Sequence, residues 1–234
     1  MRRLRSAVGL SLFLVRYRLR RMVDHAVGAA GERWAGRVRG LPEVPLRGAA
    51  RHWGRIVMDR EIDAFLRSLS PTSLAAVEIS GEAHRDRQPW RSYLTLDYPA
   101  FDLCSPPDPL PGRFDVVLCE QVLEHVPDPI RAVQTLFDLC LPGGTAVIST
   151  PFLVKVHPYP HDYWRFTEEG LQTLLAYVGF RVERTGAWGN AAAVRANFVG
   201  WALYRPWRSL RNNPELPISV WAFAHRPNVA DTKD

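Results

Sequence analysis

A nearly continuous apolar run, FDVVLC at residues 114–119, most constrains the fold of this chain. A strand with apolar residues at consecutive positions is buried on both faces, which is typical of a parallel sheet covered by helices. Other strand-like runs lie at 74–79, 93–97, 101–104, 145–150, 181–188 and 218–224. Helical patterns separate several of these runs, and the alternation predicts an α/β fold with a mostly parallel central sheet.

Capping residues mark the starts of two predicted helices. Asp128 precedes Pro129, and this pair suits the N-cap and the first helical position. Thr167 precedes a second apolar stripe that ends near Val178. Two further helices are predicted at about 54–69 and 191–204.

The positive charge of the chain is concentrated at its N-terminus. Residues 1–40 carry ten Arg against Asp24 and Glu32, a net charge of +8, whereas the whole chain is +6 and the remainder therefore −2. Apolar residues at three- and four-residue spacing predict a basic amphipathic helix, and its apolar stretch is too short for a membrane span. This helix would lie on an anionic membrane surface or pack on the protein or a partner. The slightly acidic remainder argues against a nucleic-acid partner.

The predicted organisation has four segments. They are the basic helix 1–40, a connector with a helix at 41–73, a main domain at 74–226 with a helical insertion at about 190–217, and a tail at 227–234. Three scattered cysteines without a CxxC pair indicate free thiols in a reducing compartment. We therefore expect a cytoplasmic protein, associated with a membrane if the basic helix binds lipid.

Residues 114–180 resemble the class I S-adenosylmethionine-dependent methyltransferases, in particular those that act on small molecules. The resemblance rests on FDVVLCEQVLEHVPDPIRAVQTL, LCLPGGTAVISTPF and HPYPHDYWRFTEEGLQTLLAYVGF, each of which falls at the expected strand or helix. It implies a Rossmann-like fold that ends in an antiparallel strand pair, here 181–188 with 218–224. It also implies S-adenosylmethionine as the cofactor.

The resemblance further implies which residues hold the cofactor. Asp97 ends the strand YLTLD, where the family's ribose-binding acid lies. Asp102 and Leu103 are placed like the family's adenine-side pair. The positions that would line the methionine and sulfonium end are Glu120, Gln121 and Val122.

The stretch VEISGEAH departs from the family pattern acid–x–Gly–x–Gly. Glu78 supplies the acid, but Ser80 and Glu82 replace the two glycines, and Gly81 lies one position off. The interval between Ser80 and Tyr93 is too short for a full crossover helix, so that helix must be short or missing.

Two interpretations of this departure follow. Ser80 and Gly81 can still offer backbone N–H groups to the cofactor from a shortened loop. Alternatively, the chain is a non-catalytic methyltransferase-like binding or scaffold protein, which a Glu82 side chain inside the methionine pocket would support. The acids at 97 and 120 and the LEH turn favour the first interpretation.

The loop VHPYPHDYWRFT follows the strand at 145–150 and is rich in residues that support catalysis. A neutral histidine suits a general base for an oxygen acceptor, and a carboxylate can orient it. We predict His157 or His161 as the base, with Asp162 as its partner. Predicted substrate-binding residues are Tyr163, Trp164, Arg165, Trp188 and Asn190.

Two structural alternatives apply to this loop. An Asp162–Arg165 ion pair would simply fix the loop before the Thr167 cap. His157 and His161 have a spacing that could bind a metal, but Pro158 and Pro160 argue against a ligating helix, so we predict no metal site.

The predicted function is transfer of a methyl group to an oxygen or nitrogen of a small-molecule acceptor, with a glycan or lipid-linked acceptor as one option.

Overall fold

A computed structural model of the protein describes residues 51–158 and 160–228, and the predicted helix at 1–40 lies outside them. The described part contains the helices α1 (Ile56–Ser68), α2 (Pro129–Leu139), α3 (Glu168–Val178) and α4 (Ala191–Val199). Its strands are β1 (Ala75–Ile79), β2 (Ser92–Leu96), β3 (Phe114–Glu120), β4 (Cys140–Pro151), β5 (Arg181–Trp188) and β6 (Ser219–His225).

The six strands form one sheet in the order β2-β1-β3-β4-β6-β5. The first four strands of that order pair in parallel, and β6 pairs antiparallel with both β4 and β5. This is the predicted Rossmann-like α/β fold with an antiparallel C-terminal strand pair, and the prediction is confirmed. Ligands of such sheets bind beyond the carboxyl ends of the parallel strands, where the strand order reverses.

Helices cover both faces of the sheet, as the apolar strands require. On one face α2 and α3 bury Leu136 and Leu171 against β3, β4 and β6. On the other face α1 buries Met58, Ile62 and Leu66 against the same strands. The predicted caps of α2 and α3 are present: Asp128 accepts a hydrogen bond from the N–H of Arg131, and Thr167 accepts one from that of Gly170. No helix in the described part is long and apolar enough to cross a bilayer.

The structure corrects the predicted third strand at 101–104. This segment is a turn, in which the Asp102 carboxylate accepts a hydrogen bond from the N–H of Cys104 at 2.8 Å. Phe101 and Leu103 are buried in the core, so they give a strand-like apolar pattern without pairing to the sheet.

Two further features position the site. The segment 80–91 contains turns and no helix, as the short interval predicts. Helix α1, assigned from the sequence to a connector, packs directly on the sheet and shares one core cluster with Val116 of β3 and Phe223 of β6.

Candidate functional site

The predicted cofactor residues lie along one edge of the sheet, at the carboxyl ends of the parallel strands. Ile79 of β1 is paired in register with Leu96 of β2 and Cys119 of β3. Glu120 is paired with Ser149 of β4. The residues that follow these strand ends therefore form the rim of a common cleft.

Asp97 directly follows β2 at this edge and is exposed. Its carboxylate makes no hydrogen bond or ion pair within the described residues. An exposed carboxylate at this position can accept two hydrogen bonds from a vicinal diol. Of the predicted cofactor residues, Asp97 is therefore the one with an uncommitted carboxylate.

Glu78 is committed to the protein itself. Its buried carboxylate accepts hydrogen bonds from the N–H groups of Ala83 and His84, each at 3.1 Å, and from the hydroxyl of Tyr93. A Cβ added at Gly81 would lie 2.9 Å from Glu78 Oε1, so the close approach of loop and carboxylate requires glycine there. Glu78 thus shapes the loop after β1 through hydrogen bonds within the protein, and its place among the cofactor residues stays a prediction.

Ser80 and Glu82 stand where the family pattern has glycines, and they differ in conformation and exposure. Ser80 adopts the left-handed conformation, φ +54°, that glycine takes most easily, and its N–H donates to Leu96 O. Glu82 has a side chain that is 75 % exposed and pairs with Arg85. Because the Glu82 side chain points away from the sheet edge, it does not fill the methionine pocket. Glu82 therefore gives no support to the scaffold interpretation.

Glu120, which is predicted to line the methionine end of the cofactor, has a carboxylate that is paired within the protein. Its buried carboxylate pairs with the guanidinium of Arg55 through one oxygen and with His84 Nε2 through the other. Burial alone would raise the pKa of Glu120, but the hydrogen bond from His84 and the positive charge of Arg55 lower it overall. Burial would likewise lower the pKa of His84, and Glu120 raises it overall. The three residues form a buried, charged network beside the cleft.

A cavity of about 190 Å³ opens next to this network, over the ends of β3 and β4. Ser80, Gly81, Asp97 and Asp102 do not line it. Its polar and aromatic lining includes His52, Arg55, Gln121, Glu124, His157 and Trp201. Of the predicted cofactor residues only Gln121 lines this cavity, and Arg55 belongs both to its lining and to the network around Glu120.

Glu124 is the most unusual group of the cavity. Its side chain is 1 % exposed, and neither carboxylate oxygen accepts a hydrogen bond from another described residue. Burial raises the pKa of Glu124 to about 8. His125 Nε2 and His157 Nε2 lie 3.6 Å and 3.9 Å from Glu124 Oε1.

Each of the two histidines beside Glu124 has a contact of its own at the second ring nitrogen, Nδ1. Nδ1 of His125 contacts the carbonyl oxygen of His161. Nδ1 of His157 lies 3.3 Å from Asp162 Oδ2, and burial lowers the pKa of His157. Both imidazoles can therefore carry their proton on Nδ1 and present a lone pair on Nε2.

Asp162 and Arg165 form the ion pair that the sequence analysis allowed. Arg165 Nη2 donates to Asp162 Oδ2 at 2.7 Å, and Nη1 contacts the other oxygen. These hydrogen bonds lower the pKa of Asp162 to about 2. Asp162 also accepts a hydrogen bond from the N–H of His157 at 2.8 Å, so it fixes the loop and orients the histidine together.

The remaining residues of this loop lie further from the cavity. His161 is exposed, and its ring lies tilted against that of Tyr163, with the centroids 5.5 Å apart. Trp164 is 41 % exposed and donates from Nε1 to Val126 O. Of the two predicted bases, only His157 lines the cavity.

Several residues that were predicted to bind the cofactor or substrate have side chains that pack in the core or cap a helix or turn. Trp188 is 1 % exposed and donates to Leu210 O, and Asn190 is the N-cap of α4. Leu103 is buried in the core, and Asp102 closes its own turn. Val122 packs against the core, whereas Gln121 lines the cavity. These side chains, Gln121 excepted, are committed to packing or capping.

Arg55, His84 and Glu124 received no site assignment from the sequence. Arg55 precedes Asp59 by one helical turn, and the two form an ion pair at 3.3 Å, a local signal that could have marked Arg55. His84 belongs to the quoted VEISGEAH stretch, but its pairing with Glu120 is set by the tertiary fold. Trp201 lies in the insertion between β5 and β6, and its ring centroid is 5.1 Å from that of His157.

Comparison with known proteins agrees with this architecture. Residues 59–185, more than half of the chain, match the family model described as a methyltransferase domain. The ubiquinone biosynthesis O-methyltransferase of Xanthomonas campestris is 32 % identical over 123 residues, which cover 50 % of this chain and 51 % of that protein. The protein of the same name from Azotobacter vinelandii is 30 % identical over 113 residues, or 42 % and 43 % of the two chains.

The chain thus spans about half the length of the curated relatives it matches. Among solved structures, the [4+2]-cyclase SpnF aligns with a TM-score of 0.50 and 15 % identity, covering 89 % of this chain and 94 % of its own. At this identity the likeness concerns the fold alone.

Proposed function

Because the chain belongs to the methyltransferase-domain family, we propose that it transfers a methyl group from S-adenosylmethionine to an oxygen or nitrogen of a small-molecule acceptor. The observation that carries the proposal is the exposed, uncommitted carboxylate of Asp97 at the carboxyl end of β2. It lies on the same sheet edge as a cavity large enough for part of an acceptor. The relatives named O-methyltransferases support oxygen as the atom methylated.

Asp97 would accept two hydrogen bonds from the ribose diol of the cofactor. The N–H of Ser80 already donates to Leu96 O, so Gly81 is the residue of the predicted pair with an available N–H. Arg55 is 31 % exposed, and its Nη1 makes no described hydrogen bond while Nε and Nη2 hold Asp59 and Glu120. We assign that nitrogen to the carboxylate of the cofactor's methionine part.

S-adenosylmethionine supplies an electrophilic methyl group on a sulfonium centre. The chain mainly has to align acceptor and donor, since methyl transfer is an in-line displacement. Trp201 and His157, whose rings meet edge to face, would hold the acceptor in the cavity. The neutral imidazole of His157 presents its Nε2 lone pair there, where it can bind an acceptor hydroxyl.

A second candidate, a non-catalytic binding or scaffold protein, is favoured by one observation. His84 is 1 % exposed and pairs with Glu120, so the network occupies the side of the cleft next to β1 and β3. A shortened loop filled in this way would reduce the space for the methionine part of a cofactor. Cofactor binding separates the two candidates.

The decisive experiment is calorimetric titration of the full chain with S-adenosylmethionine and S-adenosylhomocysteine. We expect micromolar binding of both, and at least about a tenfold loss for Asp97→Ala, since charge-assisted hydrogen bonds contribute roughly 1.5–3 kcal/mol each. The matched control is Asp86→Ala, which removes another exposed carboxylate from the preceding loop. A folded wild-type protein that binds neither compound would establish the scaffold interpretation.

We also propose that the protein is cytoplasmic and that its basic segment 1–40 contacts anionic membranes. The support is the net charge of +8 in that segment and the free cysteines. Cosedimentation with vesicles rich in anionic lipid should occur at low salt and weaken as salt rises. Equal retention by vesicles of neutral lipid would contradict an electrostatic contact.

A further inference from the structure

Neither oxygen of the buried Glu124 carboxyl group accepts a hydrogen bond from another residue in the described chain. A carboxylate in a low-dielectric site is costly without such bonds, so the group takes up a proton, pairs with a cation or coordinates a metal. The side chain of Glu124 is 1 % exposed. The group faces the cavity lined by His125 and His157.

The three side chains converge on one point. One ligand atom from each of Glu124, His125 and His157 lies within 4.8 Å of the others. The His125 and His157 Nε2 atoms are 3.6 Å and 3.9 Å from the same carboxylate oxygen, too far for hydrogen bonds. A zinc ion with bonds of 2.0–2.2 Å holds tetrahedral ligands roughly 3.3–3.6 Å apart. The two carboxylate–histidine distances are close to this spacing, and binding would draw together any pair nearer the 4.8 Å limit.

The histidines are oriented as metal ligands are. A metal-binding imidazole typically donates its second N–H to a carboxylate or a backbone carbonyl, which fixes its tautomer. Nδ1 of His125 contacts the His161 carbonyl, and Nδ1 of His157 faces Asp162 and the Lys155 carbonyl. Both Nε2 atoms thus remain available as ligands close to Glu124.

We propose that Glu124, His125 and His157 bind a divalent transition-metal ion, with Zn²⁺ as the best chemical match. Two imidazole nitrogens and one carboxylate are the ligand set of catalytic zinc sites that keep a fourth position open. No metal site was predicted from the sequence, because only the spacing of His157 and His161 within one segment was considered. The proposed ligands come from two segments, the LEH turn after β3 and the loop after β4.

The role of the ion rests on the proposed function. Its fourth position would face the cavity and take an oxygen atom of the acceptor beside Trp201. With metal bound, that oxygen would contact the ion in place of the Nε2 lone pair of His157. A bound cation lowers the pKa of a coordinated hydroxyl, so the site would select acceptors with an oxygen donor. Asp162 is then a positioning residue that acts through His157.

The test uses the full chain without a polyhistidine tag, stripped of metal by a chelator. Co²⁺ is the probe, because an ordered site of low coordination number gives visible absorption bands, and Zn²⁺ should displace it at one equivalent. We expect saturable one-to-one binding with those bands. A folded wild-type protein with no saturable Co²⁺ or Zn²⁺ binding would overturn the proposal.

Variants assign the ligands. His157→Ala and Glu124→Gln should each weaken metal affinity by at least about tenfold, since even orienting partners contribute 10–100-fold. His161→Ala is the matched control, because it removes an exposed histidine from the same loop and leaves the His161 carbonyl in place. Equal metal affinity in wild type, His157→Ala and Glu124→Gln would place any bound ion elsewhere and contradict the site.

The metal and the cofactor are tested separately. Metal binding in a protein that does not bind S-adenosylmethionine would support the site and refute the proposed function. Cofactor binding by a protein that binds no metal would do the reverse. If Glu124→Gln fails to fold, the Co²⁺ spectrum of His125→Ala provides the same comparison.

Discussion

The imidazole of His84 and the carboxylate of Glu120 are hydrogen-bonded inside the protein, with exposed side-chain fractions of 1 % and 5 %. Arg55 completes the network through the second oxygen of Glu120. This arrangement joins the loop after β1, the end of β3 and the start of α1 through charged groups. Both stability and cofactor binding should therefore depend on it.

The first prediction concerns the pH dependence of stability. The pKa of His84 in the folded protein lies above the ordinary histidine value of 6.5. Its contribution to stability is therefore complete below pH 6.5 and is lost as pH rises through the folded pKa. Glu120 has a folded pKa below 4.5, so its contribution is lost as pH falls through that lower pKa. The pair should stabilise most between about pH 4.5 and 6.5, as measured by urea unfolding.

The control for that prediction is His84→Gln, which removes the titrating imidazole. The variant should be less stable at pH 6 and should lose less stability than wild type as pH rises. Parallel stability curves for wild type and His84→Gln across the alkaline side would contradict the assignment.

Arg55→Met should destabilise the fold by about 3 kcal/mol, because it leaves the buried carboxylate of Glu120 with His84 alone. Arg67→Met is the matched control on the exposed side of the same helix and should stay within about 0.5 kcal/mol of wild type. Adding Glu120→Gln to Arg55→Met should recover part of the loss. Chemical denaturation of wild type, Arg55→Met, Glu120→Gln and the double variant measures the coupling free energy, and strict additivity would show that the contact contributes nothing.

Gly81→Ala should cost roughly 1–3 kcal/mol through overpacking. The added Cβ would lie 2.9 Å from Glu78 Oε1, and that carboxylate is held by Ala83, His84 and Tyr93, so it cannot move freely. Gly200→Ala is the control, since its Cβ meets nothing within 4 Å and its backbone is extended. Thermal unfolding should separate the two variants clearly, and equal melting temperatures would refute the packing argument.

The cysteines should differ in reactivity toward a thiol reagent. Burial raises the pKa of Cys119 and raises that of Cys140 to about 12, and both side chains are fully buried. Cys104 is half-buried, so the native protein should show one slowly reacting thiol and three after unfolding. Cys104→Ser should abolish the native reaction, and fast labelling of a second thiol would contradict the buried positions.

Sequence reasoning succeeded where the signal was local. The apolar strands, the caps at Asp128 and Thr167 and the missing crossover helix all follow from residues close together in the chain. The place of Asp97 directly after a strand likewise follows from the local sequence, whereas its role in binding the ribose comes from the family resemblance and stays a prediction.

Sequence reasoning could not show what a side chain does where its tertiary partners decide this. Glu78 and Glu120 look like ligand acids in the sequence, but the fold supplies them with the loop amides and with Arg55 and His84. Trp188 lies at a strand end yet is covered by the insertion between β5 and β6. Glu124 is the opposite case, because the fold buries its carboxyl group without giving either oxygen a hydrogen bond from another described residue.

The loop after β1 has a consequence for hydrogen exchange. Amides in an irregular surface turn usually exchange through small local openings. The N–H groups of Ala83 and His84 instead donate to the buried carboxylate of Glu78, which is part of β1. These two amides should therefore exchange as slowly as the central strands, so that a segment without regular structure reports the cooperative opening of the whole sheet.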